Sequence, residues 1–157
     1  MQGNPEFMKQ AIKLAVENVA SGHGGPFGAV VVRGGEVIAT GVNLVTATND
    51  PTAHAEVVAI RNACKKLGEF SLPECTMYTS CEPCPMCLAA IHWARMERIF
   101  YSGTAADAAA AGFDDAFIYE EIKKNVGERT VPEERLLAEL GNDSFDAWRR
   151  FATRVEY

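Results

Sequence analysis

His54-Ala55-Glu56 and Pro83-Cys84-Pro85-Met86-Cys87 place one imidazole, one carboxylate and two thiols in two short motifs, H-A-E and P-C-x-x-C. His54, Cys84 and Cys87 suffice as three ligands for a zinc ion. Catalytic zinc differs from structural zinc in keeping a fourth, water-filled position beside three protein ligands. A water held there has its pKa lowered from about 15.7 toward about 7. Glu56 is not needed as a ligand, so it is the base that takes the proton and passes it to a substrate. The pattern reads as metal-activated hydrolysis with one zinc per chain.

Other readings of the same residues stay open. Cys81, Cys84 and Cys87 form C-x-x-C-x-x-C, part of an iron–sulfur run, but the fourth cysteine of that run would fall at position 91, which is Ile91. A closed structural zinc site of Cys81, Cys84, Cys87 and His54 leaves Glu56 without a purpose. Cys64 and Cys75 read as small buried hydrophobes. His92 lies on the helix after the cysteines, off their face, and reads as packing. His23 sits in a glycine-rich loop as a surface residue.

These motifs need elements to hold them. Asn4-Pro5 is a helix start, followed by apolar residues at helical spacing from Met8 to Val19. Phe27–Val32 reads as a buried strand, Arg33–Glu36 as a hairpin turn and Val37–Val45 as a second strand. After the Asn49–Thr52 turn, with Thr52 as N-cap, a helix is expected over Ala53–Leu67. Cys75–Thr79 and Arg98–Ser102 are short strands flanking a helix over Pro85–Arg95. Ala105–Ala111, a segment from Asp114, Glu133–Leu140 and Phe145–Ala152 are further helices, with Val126–Pro132 linker-like between them. The alternation predicts a three-layer α/β/α sandwich around one central mixed sheet, in a single domain over 1–157.

Both motifs fall at helix starts. Cys84 and Cys87, three residues apart, share one helix face. The partial positive charge of a helix N-terminus favours the thiolate, the form that binds metal. His54 and Glu56 would diverge in mid-helix, but at a first turn both approach a pocket beyond the helix end. The two helix starts are therefore expected to face each other across the metal.

The chain carries 15 Lys and Arg against 21 Asp and Glu, a net charge of −6, and 48% of its residues are hydrophobic. An acidic balance with no basic run longer than a pair disfavours nucleic acid and anionic membranes as partners. No leader segment and no membrane-length apolar stretch stand out, so the cytoplasm is the expected location. Five cysteines, an odd number, do not suggest a disulfide framework.

H-A-E with P-C-x-x-C resembles the cytidine deaminase-like superfamily, in which the glutamate shuttles protons and does not bind the metal. Gly25–Val30, Asn49–Glu56 and Tyr78–Arg95 carry that resemblance and are shared with tRNA adenosine and cytosine deaminases. Ala111–Asp115, Phe117-Ile118-Tyr119 and the ending from Ala147 to Tyr157 narrow it to short bacterial guanine deaminases. The resemblance implies zinc on His54, Cys84 and Cys87, Glu56 as acid and base, and hydrolysis of guanine to xanthine and ammonia. It also implies Asn43 and Asp115 as contacts to the base, and Phe27 and Trp93 as walls for a flat purine. Tyr157 would close the pocket from a tail, roughly 141–157, swapped between the subunits of a homodimer. The bare residues also permit Phe27 as core, Asn43 as a turn cap, Asp114-Asp115 as a charge pair at a helix start and the tail as disordered. Deamination of tRNA adenosine, cytosine or guanosine, and a non-catalytic zinc or iron–sulfur module, remain the rival functions.

Overall fold

The computed structural model describes residues 2–157. They form two compact units, one ending at Ala116 and the other spanning Phe117–Tyr157, and each is described by itself.

The first unit opens with α1 (Pro5–Ser21). The Asn4 side chain accepts from Glu6 N–H at 3.0 Å and Pro5 takes the first helical position, as the sequence predicts. β1 (Gly28–Arg33) and β2 (Glu36–Val42) form an antiparallel hairpin. Its two-residue turn holds Gly34 at φ 61° and Gly35 at φ 83°, conformations that cost glycine no Cβ clash. β3 (Cys75–Cys81) pairs antiparallel with β1, and β4 (Arg98–Gly103) pairs parallel with β3. The sheet order β2-β1-β3-β4 is therefore mixed, as expected.

Strand alternation sorts the core into two layers. Ala29 and Val31 point with Cys75 and Met77 toward Ala55, Ala59 and Ala63 of α3 (Ala55–Leu67) and Ile91 of α4 (Pro85–Trp93). Val30 and Val32 point with Tyr78 to the opposite side, against Ala11 of α1. Small residues let α3 sit close to the sheet. A Cβ on Gly41 of β2 would lie 2.2 Å from Ala55 O and 2.5 Å from Ala59 N, so only glycine fits beneath this helix. Truncating a fully buried side chain such as Met77 costs about 2–5 kcal/mol, so β3 is firmly held.

Three expectations shift. β2 stops at Val42, and Val45–Thr48 form the one-turn helix α2. Asn43 causes this: its Oδ1 accepts from Val45 N–H at 3.3 Å and turns the chain. Thr52 does not cap α3. Its N–H and hydroxyl donate to Asp50 Oδ1 at 2.8 and 2.6 Å, and the N-cap moves to His54. His92 is exposed, because Pro85, Cys87 and Ile91 are the residues of α4 that turn inward.

α5 (Ala105–Ala110) closes the first unit under a Thr104–Asp107 capping box, and α6 (Ala116–Lys123) leads into the second. The second unit also holds a 3-10 turn at Ala138–Leu140 and α7 (Asp143–Arg150). The helix expected over Glu133–Leu140 is reduced to that 3-10 turn. Leu136 is 86% exposed and Leu137 adopts φ 53°, so the segment buries no face that would repay helix nucleation. Among the described residues, no helix is long and apolar enough to cross a membrane.

Candidate active site

His54 is the N-cap of α3 and Cys84 the N-cap of α4, and neither side chain is spent on capping its helix. Both helix starts face one point, as the motif positions predict. His54 Nδ1 lies 3.5 Å from Cys84 Sγ and 3.5 Å from Cys87 Sγ. In a tetrahedral zinc site with Zn–S near 2.3 Å and Zn–N near 2.05 Å, the S···N edge is about 3.6 Å. The donor set therefore fits zinc in both chemistry and spacing. Among the described residues, His54, Cys84 and Cys87 form the group whose ligand atoms lie within 4.8 Å of one another.

The alternatives to an open site lose their support. The Cys81 thiol donates to Thr104 O at 3.5 Å and stands outside the ligand group. Ile91, where an iron–sulfur run would need its fourth cysteine, is core. Cys75 is buried in that same cluster and Cys64 packs against it, as small hydrophobes do.

The two thiols are electrostatically unequal. Cys84 is pushed down to about 4, chiefly by the hydrogen bond from the Cys87 thiol and by His54, with burial opposing. Cys87 is pushed up, chiefly by that same bond and by burial. A divalent cation bound by both sulfurs would hold both as thiolates. His54 is pushed up, chiefly by its hydrogen bond to Cys84.

Glu56 occupies the second position of α3 and is 6% exposed. Burial pushes its carboxyl up. Oε1 accepts from the Thr79 hydroxyl at 3.3 Å, and Oε2 lies 3.4 Å from Cys87 Sγ. A carboxylate raised by burial beside a metal donor set has the placement of a proton carrier.

His54, Glu56 and Cys84 line a cavity of about 600 Å³, a volume typical of small-molecule sites. Asn43 lines it, with Oδ1 accepting from the N–H groups of Gly25 and Val45 at 3.3 Å each. Those two donors fix the amide, leaving its nitrogen as the group to meet a ligand acceptor. Asp115 lines the cavity too, its carboxyl pushed up by burial and by the Cys84 charge. Phe27 forms a wall, with Phe113 edge-on at 5.0 Å between ring centroids. Trp93 does not line this cavity: as the last residue of α4 it is far from the N-terminal end that faces the donors, and it is 64% exposed. Tyr157 belongs to the second unit and is exposed.

Sequence reasoning passed over four contributors: Asn18, Thr79, Glu82 and Phe113. Asn18 sits with Ala11 and Ala15 on the buried stripe of α1, and its Nδ2 donates to Gly25 O and Asn43 O at 2.9 Å each. A polar residue on an apolar stripe was the available signal. Thr79 continues the inward row of Cys75 and Met77. Glu82 lines the cavity and accepts from Ala105 N–H at 3.1 Å, fixing the start of α5.

Comparison with known proteins agrees with this geometry. The guanine deaminase of Bacillus subtilis is 57% identical over 151 residues, covering 96% of this chain and 97% of that protein. An X-ray structure of guanine deaminase from Bacillus subtilis superposes with a TM-score of 0.96 at 55% identity, covering 99% of both chains. A tRNA-specific adenosine deaminase of Agrobacterium fabrum is 50% identical over 76 residues, covering 48% of this chain and 50% of that protein. Residues 1–103 match the family described as the cytidine and deoxycytidylate deaminase zinc-binding region, and with His54, Cys84 and Cys87 converging beside a buried Glu56, the chain belongs to that family.

Proposed function

We propose that this protein is a zinc-dependent deaminase of the free base guanine, converting guanine and water to xanthine and ammonia. The observation that carries the reading is a three-ligand donor set beside a buried carboxylate, with His54, Cys84 and Glu56 lining an acidic, aromatic-walled cavity. Near-full-length similarity to a guanine deaminase supports the choice of base.

In this reading His54, Cys84 and Cys87 hold the ion. When bound, zinc supplies Lewis acidity that makes water nucleophilic near neutral pH. Glu56 takes the proton that the water loses on attacking C2, and delivers it to the departing amino nitrogen as the C2–N bond breaks. One oxygen is gained, one ammonia is lost, and Glu56 returns to its starting state. The Asn43 amide nitrogen donates to a purine acceptor, and the Asp115 carboxylate accepts from ring or amino N–H groups. Phe27 and Phe113 flank the flat ring.

Charge argues for a free base over the family's phosphorylated or polymeric substrates. Glu56, Glu82, Asp114 and Asp115 line the cavity, and the described lining residues include no Lys or Arg. A phosphate brought here would meet carboxylates with no Lys or Arg side chain to offset them, which disfavours nucleotides and tRNA alike. The resemblance further supports a homodimer in the cytoplasm, with the tail from about residue 141 exchanged so that Tyr157 reaches the partner's site.

The test is ammonia release from guanine, guanosine, GMP, adenine, cytosine and tRNA, with xanthine detected separately. Guanine is expected to be turned over best and GMP and tRNA not at all. Preferred turnover of GMP or tRNA would overturn the reading.

A further inference from the structure

We propose that Thr79 is a positioning residue for catalysis: its hydroxyl pins Oε1 of Glu56, so that Oε2 is the oxygen that carries the proton. The inference rests on the reading of Glu56 as the proton carrier and adds which atom does the carrying and what holds it.

Among the described residues, four polar or charged side chains are buried: Asn18, Asn43, Glu56 and Thr79. Asn18 and Asn43 serve backbone groups around the loop at Gly25. Thr79 serves Glu56, with its Oγ1 3.3 Å from Oε1, while Oε2 faces Cys87 Sγ at 3.4 Å, a sulfur with no hydrogen to donate once it binds the ion as a thiolate. At 1% exposure, water does not compete for that hydroxyl.

The mounting of Thr79 is rigid. It lies in β3, paired with Ala29 of β1 on one side and Tyr101 of β4 on the other, so the sheet fixes its backbone from both edges. Its neighbours on the inward row, Cys75 and Met77, are apolar and fully buried. Valine has the same branched shape and strand preference. Packing alone therefore does not call for threonine, and the hydroxyl is what this residue adds.

One O–H supplies one hydrogen. It donates to Oε1 when Glu56 is ionised and equally well when the proton sits on Oε2. Protonation on Oε1 instead would set two hydrogens at one oxygen and turn the hydroxyl's hydrogen away from it. During turnover the proton passes from water to Oε2 and from Oε2 to the leaving nitrogen, while the Thr79 O–H bond stays intact. Pinning one oxygen removes rotation of the carboxyl between these two transfers, which is the geometric precision that proton transfer rewards.

The test compares Thr79→Val and Thr79→Ser with the wild type for kcat, KM and bound zinc. Thr79→Val is expected to keep its zinc and its KM while kcat falls about 10- to 100-fold, the range carried by a hydrogen bond to a charged group. Thr79→Ser is expected to recover most of kcat. Unchanged kcat in Thr79→Val, or equal losses in both variants, would overturn the proposal, since the hydroxyl would then be irrelevant. If Thr79→Val fails to fold, Thr79→Ala against Thr79→Ser carries the same comparison. A double substitution adds a second arm: in Glu56→Gln, replacing Thr79 by Val is expected to cost nothing further, and an additive loss would show that Thr79 acts elsewhere. Should the wild type prefer another base to guanine, the substrate assignment fails, and the same ratios measured on that base still decide the role of Thr79.

Discussion

Glu56→Gln separates metal binding from proton transfer most cleanly. The amide has the shape of the carboxylate, and its surroundings accommodate it: Oε1 still accepts from Thr79, and an NH2 group in place of Oε2 faces Cys87 Sγ at 3.4 Å, a sulfur that accepts as a thiolate. His54, Cys84 and Cys87 are untouched, so one zinc per chain is expected to remain. What disappears is the capacity to take and return a proton. General acid–base catalysis contributes about 10²- to 10⁴-fold. At 1.36 kcal/mol per factor of ten, kcat on guanine is expected to drop by the equivalent of about 2.7–5.4 kcal/mol, with KM nearly constant because the proposed base contacts, Asn43 and Asp115, are untouched. Stability moves the other way. Burial raises the Glu56 carboxyl above its ordinary 4.5. Its protonated form therefore contributes stability that is full below the unfolded value and is lost as pH rises through the raised folded value. The amide carries no such pH-dependent loss, so the variant is expected to melt no lower than the wild type at neutral pH. Xanthine absorbance gives kcat, metal analysis gives zinc, and thermal unfolding gives the third quantity. A zinc-loaded variant with kcat within tenfold of wild type would refute the assignment of the proton carrier, and loss of zinc would make Glu56 a structural residue.

Cys84→Ala removes one of three ligands and is expected to lose both zinc and turnover, with metal content and ammonia release measured on the same sample; an active, metal-free chain would contradict the ligand set. Asn18→Ala leaves Asn43 O without its Asn18 donor and Gly25 O with only the Phe27 N–H, which costs about 1–3 kcal/mol in urea unfolding and is expected to raise KM for guanine with zinc unchanged, because the Gly25 loop and the Asn43 backbone lose the side chain that ties them together. In the second unit, the Glu121 carboxyl is held down to about 2, chiefly by Lys124 and by the Thr130 N–H at 2.7 Å. Its contribution to order around Thr130 is present above the ordinary value of 4.5 and is lost as pH falls through about 2. Carbon-detected NMR titration of that carboxyl should give a midpoint near 2, and a midpoint near 4.5 would show the contact to be unformed.

The sequence was legible where a local rule had no competitor. Asn4-Pro5 and Gly34-Gly35 act through their own backbone preferences, so α1 and the hairpin turn fell where expected. The metal motifs were legible because three thiol and imidazole donors at helix starts have few other uses. The errors came where a side chain bonded to a backbone group a few residues away. Asn43 ends β2 by accepting from Val45 N–H, and Asp50 takes the hydroxyl of Thr52 that would otherwise cap α3. Both residue types favour such local bonds, but the sequence does not say which of several partners wins. Contacts across the sheet were harder still. Thr79 reads as one more strand residue until the register sets it opposite the second residue of α3, and Phe113 reads as loop until it closes on Phe27. Trp93, a wall only by resemblance, lies about two turns along α4 from the end that carries the donors and does not line the cavity of its own chain. What the linear pattern conveys is the chemistry available; which of those groups share a cavity is decided by the direction in which each helix leaves the sheet. Here His54 and Cys84 both occupy N-caps, so the positive ends of α3 and α4 converge on the same thiolates, and the close approach of α3 to β2 at Gly41 seats the first of those two ends against the sheet.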